Sequence, residues 1–295
     1  MFCAILDARD GPGSDDRIAG EQLRDWLGPS ATRAPLAAMN SSTWMVSSGV
    51  ERFVLKVARP SEQVGLRVAA WLAKRGLPTG EPVRMTVRGG RLVALLRFVD
   101  GRGLGTSSDD IDLIGETLGR THSLLVGAPV PRDLDRWPWA WLDPRVIEEP
   151  VLRNAAGTAI DAAERLAPTM TNGILHGDPA PEAFLDDGDG IALIDWGAAC
   201  HGPLLYDVAS AWLYAGERVL AAYARTGPIE AAELASAPEF LAFRWAVQAW
   251  YFSDRIRRHD LTGLTSEADN DKGLADARRG LLGPGRSSGD PGSRR

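Results

Sequence analysis

The stretch LHGDPAPEAFLDDGDGIALIDWG, residues 175–197, constrains the fold of this chain more than any other. It starts at the end of an apolar run, passes through a turn rich in Asp and Gly, and returns through the apolar tetrad IALI. Short apolar runs around turn residues predict a hairpin. Such a hairpin brings Asp178 and Asp195 into one small space. Two carboxylates placed in this way can accept a proton from a hydroxyl and hold Mg²⁺, which prefers carboxylate and phosphate oxygens.

The first hundred residues predict a small β-rich lobe that follows a helix. Residues 1–30 contain the helical stretch DDRIAGEQLRDWLG and are interpreted as an N-terminal helical extension. In residues 31–100, the run PLAAM and two apolar runs around a Ser-Ser-Gly turn predict three antiparallel strands over residues 35–58. The helical pattern SEQVGLRVAAWLAKRG and two strands around a Gly-Gly turn complete this lobe.

The rest of the chain predicts a larger helical lobe. After DGRGLGTSS, which has the composition of a linker, residues 101–280 carry several stretches with helical apolar spacing, interrupted by the hairpin described above. Residues 281–295 are poor in apolar side chains, which predicts a disordered tail. The expected fold class is therefore α+β, with two lobes of unequal size.

Composition limits the classes of partner. The chain has 295 residues and a net charge of −6, which is not the basic footprint of a nucleic-acid-binding protein. No apolar run approaches the length of a membrane span, and the start MFCAILDARDG is too short and too acidic for a signal peptide. Two isolated cysteines predict neither a disulfide framework nor a metal site. We expect a cytoplasmic protein without nucleic-acid or membrane partners; its oligomeric state is not indicated.

Several motifs together resemble one enzyme family. HGD and IDW lie in the predicted hairpin, and the run HGPLLYDVASA follows with a Tyr-Asp pair in register. GETLGRTHSLL matches a Leu-Gly-x-x-His-x-Leu helix, and VLKV matches a strand that carries a lysine. Over roughly residues 30–260, this set is similar to the aminoglycoside phosphotransferase and choline kinase family, a branch of the protein-kinase-like fold.

The resemblance implies a two-lobed enzyme that uses ATP and Mg²⁺ to phosphorylate a hydroxyl of a small-molecule acceptor. It makes Asp178 the catalytic base that orients and deprotonates this hydroxyl, Asp195 a ligand of Mg²⁺, and Lys56 a partner of the α- and β-phosphates. It also makes His176 and Asp207 structural supports of the catalytic loop.

Further nucleotide contacts follow from the same resemblance. The stretch NSST lies where a loop over the phosphates is expected, but it has no glycine and is equally consistent with a strand connector. The stretch ALLRFVDG resembles the strand that leads to the interlobe hinge, where backbone groups bind adenine. The candidate residues for these contacts are Asn40, Ser41 and Ser42 for phosphate, and Arg97, Phe98 and Val99 for adenine.

Two positions depart from the family pattern. Ala183 occupies the place of an asparagine that binds metal, and an alanine side chain cannot do so. Glu182 beside it is a candidate replacement, because a carboxylate is a good ligand of Mg²⁺. Val68 stands where the helix glutamate that pairs with the lysine is expected, and Glu62, six residues after Lys56, is the candidate replacement at the helix start.

Alternatives remain open at this level. Lys56 alternates with apolar side chains, so taken alone it is also consistent with an exposed strand lysine. A His-Asp pair also occurs in metal-dependent hydrolases, but no second histidine lies at ligand spacing nearby. Ala183 is consistent with a catalytically impaired, kinase-like protein that binds nucleotide or another ligand without turnover. The motifs do not distinguish among aminoglycoside-, choline- and homoserine-like acceptors.

Overall fold

The computed structural model describes residues 12–36, 38, 41–262, 264 and 266–283, and their N-terminal part forms a lobe around one antiparallel sheet. The sheet has the strand order β1-β2-β3-β5-β4, and every neighbouring pair is antiparallel. The elements of this lobe are α1 (Pro12–Leu27), β1 (Thr32–Leu36), β2 (Ser42–Ser48), β3 (Glu51–Ala58), α2 (Gln63–Ala73), β4 (Pro82–Arg88) and β5 (Arg91–Arg97).

The two faces of the sheet are covered by different helices. Side chains alternate along β3, so Leu55 and Val57 point to one face, where they are buried under α1 together with Ile18. Lys56 points to the opposite face, where its strand partner Ala94 packs against α2. On the sequence alone, this alternation was also consistent with an exposed strand lysine. In the structure it directs Lys56 toward α2.

The C-terminal part is mainly helical and carries two small antiparallel sheets. The strand β7 pairs with β10, and β8 lies between β6 and β9. The elements are β6 (Arg102–Gly103), α3 (Ser108–Leu125), α4 (Pro150–Leu166), β7 (Asn172–Leu175), β8 (Phe184–Asp186), β9 (Ile191–Leu193), β10 (Cys200–Pro203), α5 (Leu205–Ala215), α6 (Arg218–Ala224), α7 (Ala231–Leu234), α8 (Ala237–Arg257) and α9 (Glu267–Leu282).

The predicted hairpin is present and is held in the middle of this lobe. The strands β8 and β9 pair through Phe184 and Leu193, which are fully buried. Ahead of them, β7 pairs with β10, so that Leu175 lies opposite Cys200. The loop that follows β7 and the loop that follows β9 are thereby brought side by side.

Three local expectations need correction. The first strand is Thr32–Leu36 and not PLAAM; as an edge strand it tolerates Pro35, whose missing N–H no neighbour needs. The predicted linker contains β6, which pairs with β8 where Gly101 leaves room for the carbonyl of Asp186. The predicted tail begins too early, because α9 continues to Leu282; residues 284–295 lie outside the described part.

No helix in the described part of the chain is long and apolar enough to cross a membrane.

Candidate active site

Lys56 is the centre of an ion-pair cluster that joins the two lobes. Its Nζ lies 2.9 Å from Glu62 Oε2 and 2.9 Å from Asp195 Oδ1. Lys56 and Glu62 are largely buried, whereas the side chain of Asp195 is 69% exposed. Burial alone would lower the pKa of Lys56, but the carboxylates of Asp195 and Glu62 outweigh it and raise this pKa above its ordinary value. The positive charge of Lys56 holds the pKa of Asp195 well below its usual range.

Close backbone contact brings α2 to this cluster. A Cβ on Gly65, in the first turns of α2, would overlap the carbonyl oxygen of Trp196. A Cβ on Gly197 would lie 2.5 Å from Glu62 Oε2. Because both positions are glycine, the start of α2 can lie directly against the loop that carries Asp195. Glu62 therefore reaches Lys56 from the helix start.

Asp195 has a backbone conformation that few residue types adopt. Its φ of 62° and ψ of 57° place it in the left-handed region, where Asp and Asn are enriched among residues other than glycine. The turn comes directly after β9 and Ile194. It directs the carboxylate of Asp195 toward Lys56 and, because the side chain is exposed, toward solvent.

His176 ties the loop after β7 to the loop after β9. Its Nε2 lies 2.8 Å from the carbonyl oxygen of Ile194, and its Nδ1 accepts a hydrogen bond from the backbone N–H of Asp178 at 3.4 Å. A carbonyl only accepts hydrogen bonds, so Nε2 carries the ring proton. His176 thus connects the residue before Asp195 to the backbone of Asp178.

Asp207 holds the backbone of the same loop. This buried carboxylate accepts hydrogen bonds from the N–H groups of His176 at 2.6 Å and Gly177 at 3.0 Å. His122 Nε2 lies 3.2 Å from the same carboxylate, and His122 Nδ1 lies 2.9 Å from the hydroxyl of Tyr223. His122 thus makes two hydrogen bonds inside the core. Burial raises the pKa of Tyr223, which keeps this hydroxyl protonated.

Asp178 is held by two residues that the sequence motifs did not indicate. Its Oδ1 accepts a hydrogen bond from the hydroxyl of Tyr214 at 3.0 Å and from Nη2 of Arg244 at 3.1 Å. Arg244 also donates to the hydroxyl of Tyr214 at 2.7 Å. An arginine is rarely buried inside a protein, so the arginine within the apolar run FLAFRWAVQAW was the available signal.

Ala183, the first departure from the family pattern, and Glu182, its candidate replacement, lie on the turn after Asp178. Ala183 is buried, and its carbonyl accepts a hydrogen bond from the N–H of Ile194 at 2.8 Å. Glu182 is exposed. Within the described residues, no three His, Cys, Asp or Glu side chains are grouped so that they could hold a metal ion.

The predicted phosphate loop is described only in part. Asn40 lies outside the described residues. Ser41 shares a hydrogen bond of 3.0 Å with the hydroxyl of Thr43, the strand partner of Lys56. The hydroxyl of Ser42 donates to Asp15 of α1 at 2.8 Å. Ser42 therefore faces α1, on the side of the sheet opposite Lys56, and only its backbone is available to a phosphate.

The predicted hinge follows β5. The N–H of Arg97 donates to the carbonyl of Glu81 at 3.0 Å, so this amide is already engaged. The amides of Phe98 and Val99 make no hydrogen bond to any described residue. The guanidinium of Arg52 lies 4.4 Å from the centre of the Phe98 ring.

Comparisons with known proteins agree with this architecture. A model of the phosphotransferase enzyme family matches residues 32–241. A homoserine kinase of Rhodopseudomonas palustris (strain TIE-1) is 25% identical over 267 residues, which covers 75% of this chain and 80% of that protein.

Two solved structures share the two-lobed fold. A microcompartment-associated aminopropanol kinase superposes with a TM-score of 0.71 at 19% identity, covering 90% of this chain and 95% of that one. An amicoumacin kinase, solved with AMP-PNP and Ca²⁺, superposes with a TM-score of 0.72 at 15% identity, covering 92% and 94%. The kinase-like α+β fold expected from the sequence is confirmed.

Proposed function

Because this chain belongs to the phosphotransferase enzyme family, we propose that it transfers the γ-phosphoryl group of ATP, with Mg²⁺, to a hydroxyl group of a small molecule. The observation that carries this proposal is the cluster in which Lys56 contacts Glu62 and Asp195 at 2.9 Å each. The cluster fixes the ammonium group of Lys56 at the junction of the lobes, where this group can bind the phosphates of a nucleotide.

Asp195 has the properties of a magnesium ligand. Magnesium is usually held by one or two carboxylates together with substrate phosphates and water, and not by an all-protein cage. Asp195 Oδ1 contacts Lys56, and its second oxygen accepts no hydrogen bond from the described residues. The exposed Glu182 is the proposed second ligand. When bound, the ion neutralises negative charge on the transferring phosphoryl group.

Asp178 is the proposed catalytic base. Its side chain is 21% exposed, so an acceptor hydroxyl can reach it, while its backbone is fixed through His176 and Asp207. A carboxylate at this place orients the hydroxyl and takes its proton as the new P–O bond forms. His176 and Asp207 act only by holding the loop.

The proposed nucleotide contacts outside the ion-pair cluster are backbone groups. The amides of Phe98 and Val99 are available for adenine, whereas that of Arg97 is bound to Glu81. For the phosphates, we propose the backbone of residues 40–42, because the hydroxyl of Ser42 is bound to Asp15.

Ala183 supports a second candidate function, a kinase-like protein that binds nucleotide without turnover. Its buried methyl group offers no ligand where the family has a metal-binding asparagine. Under this alternative, Mg-ATP stabilises the protein, but neither ADP nor a phosphorylated product is formed. The phosphotransferase remains the first proposal, because the base, the lysine and Asp195 are all present.

An acceptor screen tests the proposal. Phosphoryl transfer from radiolabelled ATP would be measured with L-homoserine, 1-amino-2-propanol, choline and an aminoglycoside, for the wild type and for Asp178→Asn. We expect at least one acceptor to be phosphorylated, and Asp178→Asn to lower kcat by about 100-fold or more while Mg-ATP still raises Tm, since loss of a general base costs this much. Unchanged transfer in Asp178→Asn would refute the assigned mechanism.

A further inference from the structure

We propose that Arg244 and Tyr214 are positioning residues for Asp178: together they fix its carboxylate so that Oδ1 is fully engaged and Oδ2 faces the acceptor. This inference rests on the proposed function, in which Asp178 is the catalytic base. It concerns the orientation of the side chain, which the contacts of His176 and Asp207 with the loop backbone leave undetermined.

The three side chains form a closed triangle of hydrogen bonds. The guanidinium only donates and the carboxylate only accepts. Nη2 of Arg244 therefore donates to Asp178 Oδ1 at 3.1 Å and to the hydroxyl oxygen of Tyr214 at 2.7 Å. The hydroxyl hydrogen of Tyr214 is left for Asp178 Oδ1 at 3.0 Å. The direction of donation is therefore the same throughout the triangle: Arg244 donates twice, Tyr214 accepts once and donates once, and Asp178 accepts twice.

This direction of donation distinguishes the two oxygens of Asp178. Oδ1 accepts both hydrogen bonds, whereas Oδ2 accepts none from the described residues. Two donors on one oxygen fix the torsion of the carboxylate. Oδ2 is then the oxygen that meets an acceptor hydroxyl, and it does so from a defined direction. Such preorganisation contributes to catalysis because the base does not have to reorient in the transition state.

The two supports come from two helices of the helical lobe that pack against each other. Tyr214 lies near the end of α5, and Arg244 lies in α8, which packs against α5. Arg244 is 1% exposed and is flanked by Phe243 and Trp245 in an otherwise apolar stretch. A buried charge destabilises a fold unless it is paired, and apolar side chains often replace such pairs without loss of stability. The position of Arg244 is thus better explained by Asp178 than by packing.

Neither support changes its protonation state during transfer. The acceptor oxygen forms a bond to the γ-phosphorus, the bond from this phosphorus to the bridging oxygen breaks, and ADP leaves with that electron pair. The hydroxyl proton moves to Asp178 Oδ2. Arg244 keeps its charge, since guanidinium does not titrate in this range. Burial raises the pKa of Tyr214, so its hydroxyl stays a donor.

Conservative variants separate positioning from stability. Tyr214→Phe keeps the ring and removes one hydrogen bond to Asp178, and Arg244→Lys keeps the charge while Arg244→Met removes it. Tyr251→Phe is a matched control, because Tyr251 is also a buried tyrosine whose hydroxyl contacts a buried arginine of α8, Arg255, at 2.8 Å. No hydrogen bond joins Tyr251 to Asp178 among those described.

The measurement is the steady-state rate with Mg-ATP, as ADP release with water as acceptor and as transfer to L-homoserine, together with Tm for every variant. We expect Tyr214→Phe and Arg244→Met to lower kcat by about 10- to 100-fold, the cost of a displaced catalytic group. KM for ATP should stay within about twofold, because ground-state nucleotide binding is untouched. Arg244→Lys should recover part of the loss, and Tyr251→Phe should behave as the wild type.

Three results would overturn the inference. If the wild type transfers phosphate and requires Asp178, but Tyr214→Phe and Arg244→Met keep its kcat, the positioning role is wrong while the proposed function stands. The same holds if Tyr251→Phe loses as much as Tyr214→Phe, since the effect is then structural. If the wild type releases no ADP and phosphorylates none of the screened acceptors, the proposed function fails, and the inference with it.

Discussion

The direction in which a strand side chain points decides on which face of the sheet its charge lies. Lys56 is the example in this molecule. Its neighbours Leu55 and Val57 are buried under α1, so alternation leaves Lys56 on the face covered by α2. There it meets Glu62 from the helix start and Asp195 from a loop 139 residues later in the chain. The lysine therefore joins three segments, and its two carboxylate partners hold the ammonium group in place.

Replacing Lys56 by Met should strongly weaken productive nucleotide binding. The variant removes the cation and leaves Glu62 and Asp195 to repel each other, so we expect kcat/KM for ATP to fall by about 100-fold, as for other preorganised charges in active sites. Lys74→Met is the control, because Lys74 is exposed at the end of α2. ATP kinetics like those of the wild type in Lys56→Met would mean that this lysine does not bind phosphate.

At this scale, the sequence indicates candidate site residues where they belong to a contiguous motif. Asp178 and Asp195 were candidates because they belong to the triplets HGD and IDW. Glu62 was a candidate because it is close to Lys56 in the chain. Arg244 and Tyr214 were missed because their contact with Asp178 depends on how α5 and α8 pack, and no local pattern encodes a contact over 66 residues.

At the scale of elements, the contact between α2 and the loop after β9 assembles the site. Gly65 lies against the carbonyl of Trp196 so closely that a Cβ would overlap it. The same contact places Glu62 at Lys56. The helix itself was predictable from its apolar spacing, whereas the reason for a glycine near its start was not, since the spacing says nothing about which backbone approaches it.

Exchanging Gly65 for Ala should separate α2 from this loop. We expect the free energy of unfolding to fall by about 1–3 kcal/mol, the usual cost of overpacking, and KM for ATP to rise. Gly157→Ala in α4 is the matched control: its Cβ meets nothing within 4 Å, so helix propensity should raise stability by up to about 1 kcal/mol. Urea unfolding measures the change in stability of both variants, and steady-state kinetics measures KM for ATP. Equal effects of the two substitutions would argue against the close contact.

At the scale of the whole molecule, the two lobes meet where Lys56, which also pairs with Glu62 in its own lobe, contacts Asp195 of the helical lobe. The class of fold and the family could be predicted because HGD, IDW and YDVA occur in order with the right neighbours, and the family match over residues 32–241 confirms this. The extent of β1 and the pairing of β6 could not, since both depend on neighbouring strands. The identity of the acceptor could not be predicted either, because the loops that would select it carry no motif.

The measurement that tests the central claim most directly is thermal melting of the protein with and without Mg-ATP, repeated for Asp195→Asn. Asparagine is the suitable replacement because it tolerates the left-handed backbone at this position. Saturating ligand at 100 times its Kd contributes about 2.7 kcal/mol, which should raise Tm by about 5 °C or more for a protein of this size. We predict this rise for the wild type only with Mg²⁺ present, and a much smaller one for Asp195→Asn. No rise in the wild type, or the same rise in the variant, would contradict a nucleotide site built on Lys56 and Asp195.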